Sequence, residues 1–541
     1  MTAQPWILDG EVIAERLSIS ALAAAAVALG AAQTEGLSAS ETAVLSRAEK
    51  TPMETHAVRL LRGMTQAGSD PLGDAFCRLM APQERRRSGA TFTPPDIVEA
   101  MVEWASGERP ARVVDPGAGS GRFTVAAGRR FPRADLVAIE LNPLVAVLLR
   151  ANLAAVGLAA RSRVVVADYR AARLGLTNGR SLFLGNPPYV RHHEIESCWK
   201  AWLTRAAAKR GVEVSQLAGL HVHFLLATLE HGARGDRGAF ITSAEWLDTN
   251  YGAVVRHLLL DGLGGEAIHM LDPATQPFGD AATTGAITCF ELGTRPRSLR
   301  LRRVKQTAAL GGLRGGRAVA RDRLEEATRW TPLLRPAPRV PKGYVELGEL
   351  CRVHRGAVTG SNRTWVRAAG EAGLPEGVLF RAITRARELF AAGDSLRFAD
   401  RLRVVIDIPP DLGLFERDEK RAIEHFLRLA KREGAADGYI ARHRRAWWSV
   451  GLREAAPILA TYMARRPPAF VRNLVDARHI NIAHGLYPRD SLSSRALDRL
   501  GAALRESVSV AQGRTYAGGL TKFEPKEMER LPVPGPELLN A

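Results

Sequence analysis

Residues Asn186-Pro187-Pro188-Tyr189 join an amide, two prolines and an aromatic ring directly after the apolar run Ser181-Leu182-Phe183-Leu184-Gly185. That run reads as a buried strand ending at a sharp turn. Asn186 offers a side-chain oxygen. Pro187 offers a carbonyl, carries no N–H and has its φ fixed by the ring. Pro188 keeps Pro187 out of the α region, so the carbonyl is presented instead of being folded into a helix. Tyr189 supplies a flat face for stacking. Two acceptors that can grip an amino group beside a ring that can stack on a base describe a pocket for an exocyclic –NH2. The same four letters alone would also fit a proline-rich turn with an exposed tyrosine.

The elements upstream narrow the choice. Ala111-Arg112-Val113-Val114-Asp115 reads as a short strand, Pro116-Gly117-Ala118-Gly119-Ser120-Gly121 as a turn, and Arg122 to Ala127 as the start of a helix. Glycines between a strand and a helix let the backbone approach a ligand closely. Leu136-Val137-Ala138-Ile139 is a second strand, ending in Glu140, an acid placed to accept from ribose hydroxyls. Arg163 to Ala167 is a third, ending in Asp168, which could accept from an adenine amino group. With Asn186 at the tip of the fourth, these groups are expected along the carboxyl edge of one doubly wound sheet, where such folds bind ligands.

The chain resembles the N6-adenine DNA methyltransferases of restriction–modification systems, specifically the gamma class. The resemblance implies S-adenosyl-L-methionine as cofactor. Gly89-Ala90-Thr91-Phe92-Thr93-Pro94-Pro95 resembles the family's leading cofactor motif, with Thr93 facing the methionine part. Asp115 to Gly121 matches the glycine loop, including Gly117 and Gly119, and Glu140 and Asp168 match the ribose and adenine acids. The cofactor motif precedes the catalytic loop, and only a short stretch separates Asp168 from Asn186, so the beta and alpha orders are excluded. Gly238 to Leu247 resembles the family's next core strand and its following loop, and Pro277 to Thr284 precedes the apolar run Ala286 to Phe290. Phe278 stands where the family packs an aromatic on the far face of the target base. The implied catalytic set is Asn186, Pro187, Pro188, Tyr189 and Phe278. The implied chemistry is direct methyl transfer to a base rotated out of the helix, with no metal and no covalent protein adduct. Cys198 near the loop lacks a neighbouring proline, and His192 and His193 are left outside catalysis.

Composition agrees with a polyanionic partner. The 541 residues carry 75 basic and 57 acidic side chains, a formal net charge of +18. That surplus suits double-stranded DNA, where phosphate neutralisation dominates affinity, although an arginine-rich composition overall also contributes to it. Four scattered cysteines lack metal spacing and point to a reducing compartment. The apolar stretch Leu17 to Ala32 is too short to span a bilayer and follows Asp9, Glu11 and Glu15, the wrong charge for a secretory signal. A cytoplasmic protein away from membranes is expected. A separately encoded restriction endonuclease is a partner that the resemblance implies.

The expected fold is α/β: a Rossmann-like class I methyltransferase sheet with an N-terminal helical segment (1–84), a catalytic domain (85–295), a basic linker (296–342) and a C-terminal α+β target-recognition domain (343–541). Within the last, Val353 to Asn362, Asn473, His479 to Pro488 and Gly513 to Pro525 resemble recurring recognition-domain segments. Arg442, His443, Arg444 and Arg445 run into Trp447 and Trp448, basic residues beside aromatics that suit contact with a nucleic-acid backbone. Rival readings are an RNA or protein-glutamine methyltransferase and a non-catalytic DNA-binding defence subunit with a methylase fold. The basic second half argues against the protein-glutamine enzymes, which resemble only the catalytic domain. Intact Asp115, Glu140, Asn186 and Tyr189 argue against lost chemistry.

Overall fold

Apolar residues at helical spacing and a short β-hairpin organise the N-terminal segment. In the computed structural model, which describes residues 5–48, 53–80, 93–272, 284–334, 340–368, 370–371, 373–516 and 520–540, strands β1 (Trp6–Leu8) and β2 (Glu11–Ala14) pair antiparallel. Helices α1 (Ile19–Leu29), α2 (Ala39–Leu45), α3 (Thr55–Gln66) and α4 (Pro71–Leu79) follow. The apolar stretch around Leu22 is α1. Ser18 accepts from Ala21 N at its start, and Gly30, at φ 106°, ends it. Among the described residues no helix is long and apolar enough to cross a membrane.

After α5 (Pro95–Trp104) the chain enters the sheet with β3 (Arg112–Pro116), α6 (Arg122–Arg130), β4 (Asp135–Glu140), α7 (Pro143–Ala155), β5 (Ser162–Val166) and β6 (Ser181–Gly185). Helices α8 (Ser197–Ala208) and α9 (Leu220–His231), strand β7 (Arg237–Ser243), helix α10 (Ala253–Leu260) and strands β8 (Gly265–Leu271), β9 (Gly285–Glu291), β10 (Ser298–Val304) and β11 (Arg317–Ala320) complete it. The strand order is β11-β10-β8-β9-β7-β6-β3-β4-β5. Strands β5, β4, β3, β6 and β7 run parallel. Strand β9 lies antiparallel between β7 and β8. The order reverses between β3 and β6, the switch point at which doubly wound sheets open a crevice. Every residue of β3 and β6 is buried, which accounts for the apolar Val113-Val114 and Leu182-Phe183-Leu184 at their centres.

Helix α7 is buried nearly all round. One face lies on the sheet, and α1 to α4 cover the other through Leu22, Leu61, Phe76 and Leu148. Arg150 of α7 clamps the segment. Its Nε lies 2.5 Å from Glu41 Oε1, and its other nitrogens donate to the carbonyls of Glu35 and Gly36. Both side chains are buried, so removal of either partner would strand a charge away from water.

The segment 296–342, expected as a linker, contributes two strands to the sheet. Leu299, Leu301 and Val304 are buried, and β10 pairs parallel with β8 and antiparallel with β11. The chain divides into compact units at Ala337/Pro338, a few residues before the expected boundary.

The second unit is α+β. It holds a five-stranded sheet with Cys351–Arg355 and Ala483–Pro488 side by side, a four-stranded sheet, and the helices Arg417–Arg432 and Ser494–Ser507. Asn473 there is a structural brace. Its Nδ2 donates to the carbonyls of Ala456 and Ala477, and its Oδ1 accepts from Ala477 N. Trp447 and Trp448 are half-buried against the core around Trp365 and Ile423, and Trp448 Nε1 donates to Pro409 O at 3.1 Å. Burial of their apolar surface outweighs display to a partner, and the exposed positions of that run are Arg442, His443 and Arg445.

Candidate active site

The glycine turn after β3 is shaped by its neighbours as well as by its own residues. Gly117 has φ 71°, and a Cβ there would lie 3.3 Å from Pro188 Cδ and 3.5 Å from Phe224 Cε1. The turn therefore touches the Asn186–Tyr189 loop and α9 at once. Gly121, at φ 95°, begins α6, and a Cβ there would lie 2.3 Å from Leu149 Cδ1 of α7.

At the tip of β4, Glu140 Oε2 accepts from Gly119 N at 2.8 Å and Oε1 from Asn142 N at 2.9 Å. Burial raises the Glu140 pKa, and the surrounding backbone N–H groups oppose that rise. Each carboxylate oxygen keeps a second lone pair for an incoming hydroxyl. Asp168 is held by Arg170, whose Nε lies 2.8 Å from Oδ1 and whose Nη2 lies 2.6 Å from Oδ2. The Arg170 guanidinium stacks 3.8 Å from the Trp199 ring centroid and reaches His223 Nδ1 at 3.1 Å.

At the tip of β6, Asn186 Nδ2 donates to Thr93 Oγ1 at 3.1 Å. Pro187 is buried. Leu220 N donates to Val190 O at 3.0 Å, anchoring the end of the loop on α9.

These groups border one cavity of about 660 Å³, lined by Thr93, Gly117, Gly119, Glu140, Asp168, Asn186 and Pro188 among others. Ligand pockets span roughly 300–1,000 Å³. Asp115, Gly121, Pro187 and Tyr189 do not line it. Asp115 works from behind: Oδ2 accepts from Thr124 N at 3.0 Å and Thr124 Oγ1 at 2.6 Å, fixing the start of α6. Its Oδ1 is buried without a partner among the described residues. Burial lifts this carboxyl to about 7, against the Thr124 hydrogen bonds that lower it. Tyr189 is half-buried with its ring packed on the core around Val113 and Leu184, so most of its apolar surface is spent on the protein. Burial likewise raises its hydroxyl pKa. Phe278 and Gly89 to Phe92 lie outside the described residues.

Several lining residues were not anticipated. Phe76 and Met80 come from the N-terminal segment, and Trp199, Arg170 and Phe224 from the β5–β7 region. Only Arg170, two positions after an expected ligand, had a local signal. The others depend on how helices α4, α8 and α9 cross the sheet edge.

Residues 67–269 match the model of the N-6 DNA Methylase family. Residues 339–541 match that of the C-terminal domain of Type II methyltransferase M.Eco57I. The chain is 49% identical to the Type II methyltransferase M.XamI of Xanthomonas campestris pv. amaranthicola, over 94% of this chain and 96% of the relative. It is 20% identical to M.AccI of Acinetobacter calcoaceticus, over 84% and 87%. Among solved structures, the Type IIL restriction–modification enzyme MmeI, determined in complex with DNA, superposes with a TM-score of 0.53 at 12% identity, over 93% of this chain and 78% of that one. The chain belongs to the type II DNA methyltransferases, with an N-6 DNA methylase domain in its first half and a second half of the M.Eco57I C-terminal type.

Proposed function

We propose that this protein methylates N6 of a specific adenine in double-stranded DNA, with S-adenosyl-L-methionine as donor, as the modification enzyme of a restriction–modification system. The observation that carries the reading is that the Asn186 loop, the glycine turn and Glu140 border one cavity at the sheet's switch point. The residues fit the donor. Gly117 and Gly119, both at positive φ, carry the backbone along the cavity wall, and Glu140 presents a carboxylate to the same cavity.

When bound, the cofactor supplies a methyl group activated by a sulfonium. Glu140 accepts from ribose hydroxyls. Asp168 would accept from the adenine amino group at Oδ2, since Arg170 N and Nε both donate to Oδ1 and Nη2 alone to Oδ2. Thr93 borders the same space. The target base leaves the duplex, and Tyr189, whose ring is mostly packed on the core, supplies only part of the ~1–3 kcal/mol that a full aromatic stack contributes. The Asn186 carboxamide oxygen and the Pro187 carbonyl accept from the amine and draw its lone pair out of the ring. Asn186 and Pro187 hold the amine nitrogen toward the donor carbon, with which it would form the new N–C bond while the C–S electron pair stays on sulfur, and one N6 proton passes to water. Positioning of the two reactants supplies most of the acceleration.

Residues 343–541 recognise the target sequence in this reading, with arginines available for guanine edges. The enzyme acts in the cytoplasm beside a separately encoded endonuclease. The test is labelled-methyl transfer to DNA, RNA and protein in parallel, followed by digestion to nucleosides. The expected product is N6-methyldeoxyadenosine; label confined to RNA, protein or cytosine would overturn the assignment.

A further inference from the structure

Thr93 occupies a position from which it can define the two ends of a catalytic amide. It is 3% exposed and receives the Asn186 Nδ2 donor at 3.1 Å. Because Pro94 follows it, Thr93 is kept out of the α region, and its carbonyl accepts from Arg122 Nη1 at 3.0 Å. Arg122 is itself braced, with Nε 2.9 Å from Asp70 Oδ2 and Nη2 2.6 Å from Asp74 Oδ1. Asp70 accepts in addition from Gly73 N and Asn152 Nδ2, each at 3.0 Å, and from the Ser120 hydroxyl. A chain of polar contacts thus runs from α4 through α6 to the tip of β6.

An amide has two ends of nearly equal size and opposite function: the oxygen accepts and the NH2 donates. A carboxamide that is to hold an amine must present its oxygen. Presented the other way round, it would set donor against donor. Nothing in the shape of the Asn186 side chain selects between the two orientations. Only a partner that takes the NH2 end does.

We propose that Thr93 is a positioning residue for Asn186: its hydroxyl engages the amide NH2, so that the oxygen is the end offered to the substrate amine, while Arg122 and Asp70 hold Thr93 in place. The proposal rests on the reading of Asn186 given above, and it adds to Thr93 a role other than cofactor contact.

Three variants test it. Thr93→Val removes the acceptor and keeps the shape. Its kcat is expected to fall on the order of tenfold, the worth of one hydrogen bond, with the Kd for S-adenosylmethionine by calorimetry changed less than about twofold. Thr93→Ser restores kcat. On an Asn186→Asp background the same Val substitution costs less than about twofold, because both carboxylate oxygens accept and orientation ceases to matter. Where that background has no measurable turnover, the split between kcat and Kd and the rescue by Ser decide. A Thr93→Val loss that appears in Kd instead of kcat, or an equal loss on both backgrounds, overturns the proposal. Asn186→Ala run alongside separates the two failures. If it keeps turnover, the reading of the site falls. If it loses turnover while Thr93→Val does not, only the positioning role falls.

Discussion

The backbone N–H of Gly119 donates to Glu140 Oε2 at 2.8 Å, so the turn after β3 and the acid that ends β4 form a single binding surface. Glu140→Ala removes that anchor, the Asn142 anchor and the charge together. Hydrogen bonds to charged groups contribute about 1.5–3 kcal/mol each, so cofactor Kd should rise about 10- to 100-fold. Calorimetric titration measures it, and an unchanged Kd would reject the ribose-binding assignment.

Asn186→Ala leaves the cofactor contacts in place and removes an acceptor that works on the amine. By analogy with loss of one preorganised polar group at a reacting centre, kcat should drop about 10²- to 10³-fold. Single-turnover kinetics read that loss, with cofactor and DNA affinities measured in parallel. Substantial residual turnover at unchanged affinity would refute the role.

Asp115 gives a pH signature. Burial raises its pKa from 3.8 to about 7 in the folded protein, so folding retains a proton that the unfolded chain releases. The associated stability is fully present below about pH 4 and is lost as pH rises through about 7. Asp115→Asn stays neutral, and its carbonyl oxygen can still accept from Thr124. The melting temperature of the variant relative to wild type should therefore rise between about pH 5 and about pH 8. A difference independent of pH would show that Asp115 does not titrate there.

The two glycines separate architecture from binding. Gly121→Ala places a Cβ at φ 95° and 2.3 Å from Leu149 Cδ1. Strain in the left-handed region alone costs about 1–2 kcal/mol, so the melting temperature falls while the cavity lining is untouched. Gly117→Ala carries similar strain, and its Cβ would crowd Pro188 beside the cavity, so cofactor Kd also rises. Thermal melts and titrations of both variants check the contrast, and weakened binding without lost stability in Gly121→Ala would contradict it.

How far the site was legible varied with how local its causes are. Strand β6 was read at its observed limits, Ser181 and Gly185, because a buried parallel strand is apolar throughout and Pro187-Pro188 ends it. Strand β5 stops at Val166, before the expected acid, because Asp168 turns the chain by accepting from Arg170 N at 2.9 Å. Asp115 was expected to face the ligand. Its partner Thr124 lies on the helix that follows, and a carboxylate beneath a turn looks the same in sequence as one above it. Tyr189 was read as a displayed ring, yet an apolar core lies within its reach. The role of β10 was obscured for another reason: its partner β8 is a separate stretch of chain, and only pairing in space converts a basic connector into sheet. The Arg170–Trp199 stack depends likewise on how α8 crosses the sheet edge.

Strands β3 and β6 are direct hydrogen-bonded neighbours, although two helices and two further strands intervene along the chain. The separation of the two functional loops is therefore governed by the lateral repeat of a β-sheet, about 4.8 Å, and is insensitive to the length of polypeptide between them. Connections on the far rim can lengthen, shorten or acquire new surfaces without altering the width of the cleft. A scaffold of this kind can change which DNA it engages while its chemistry stays in register.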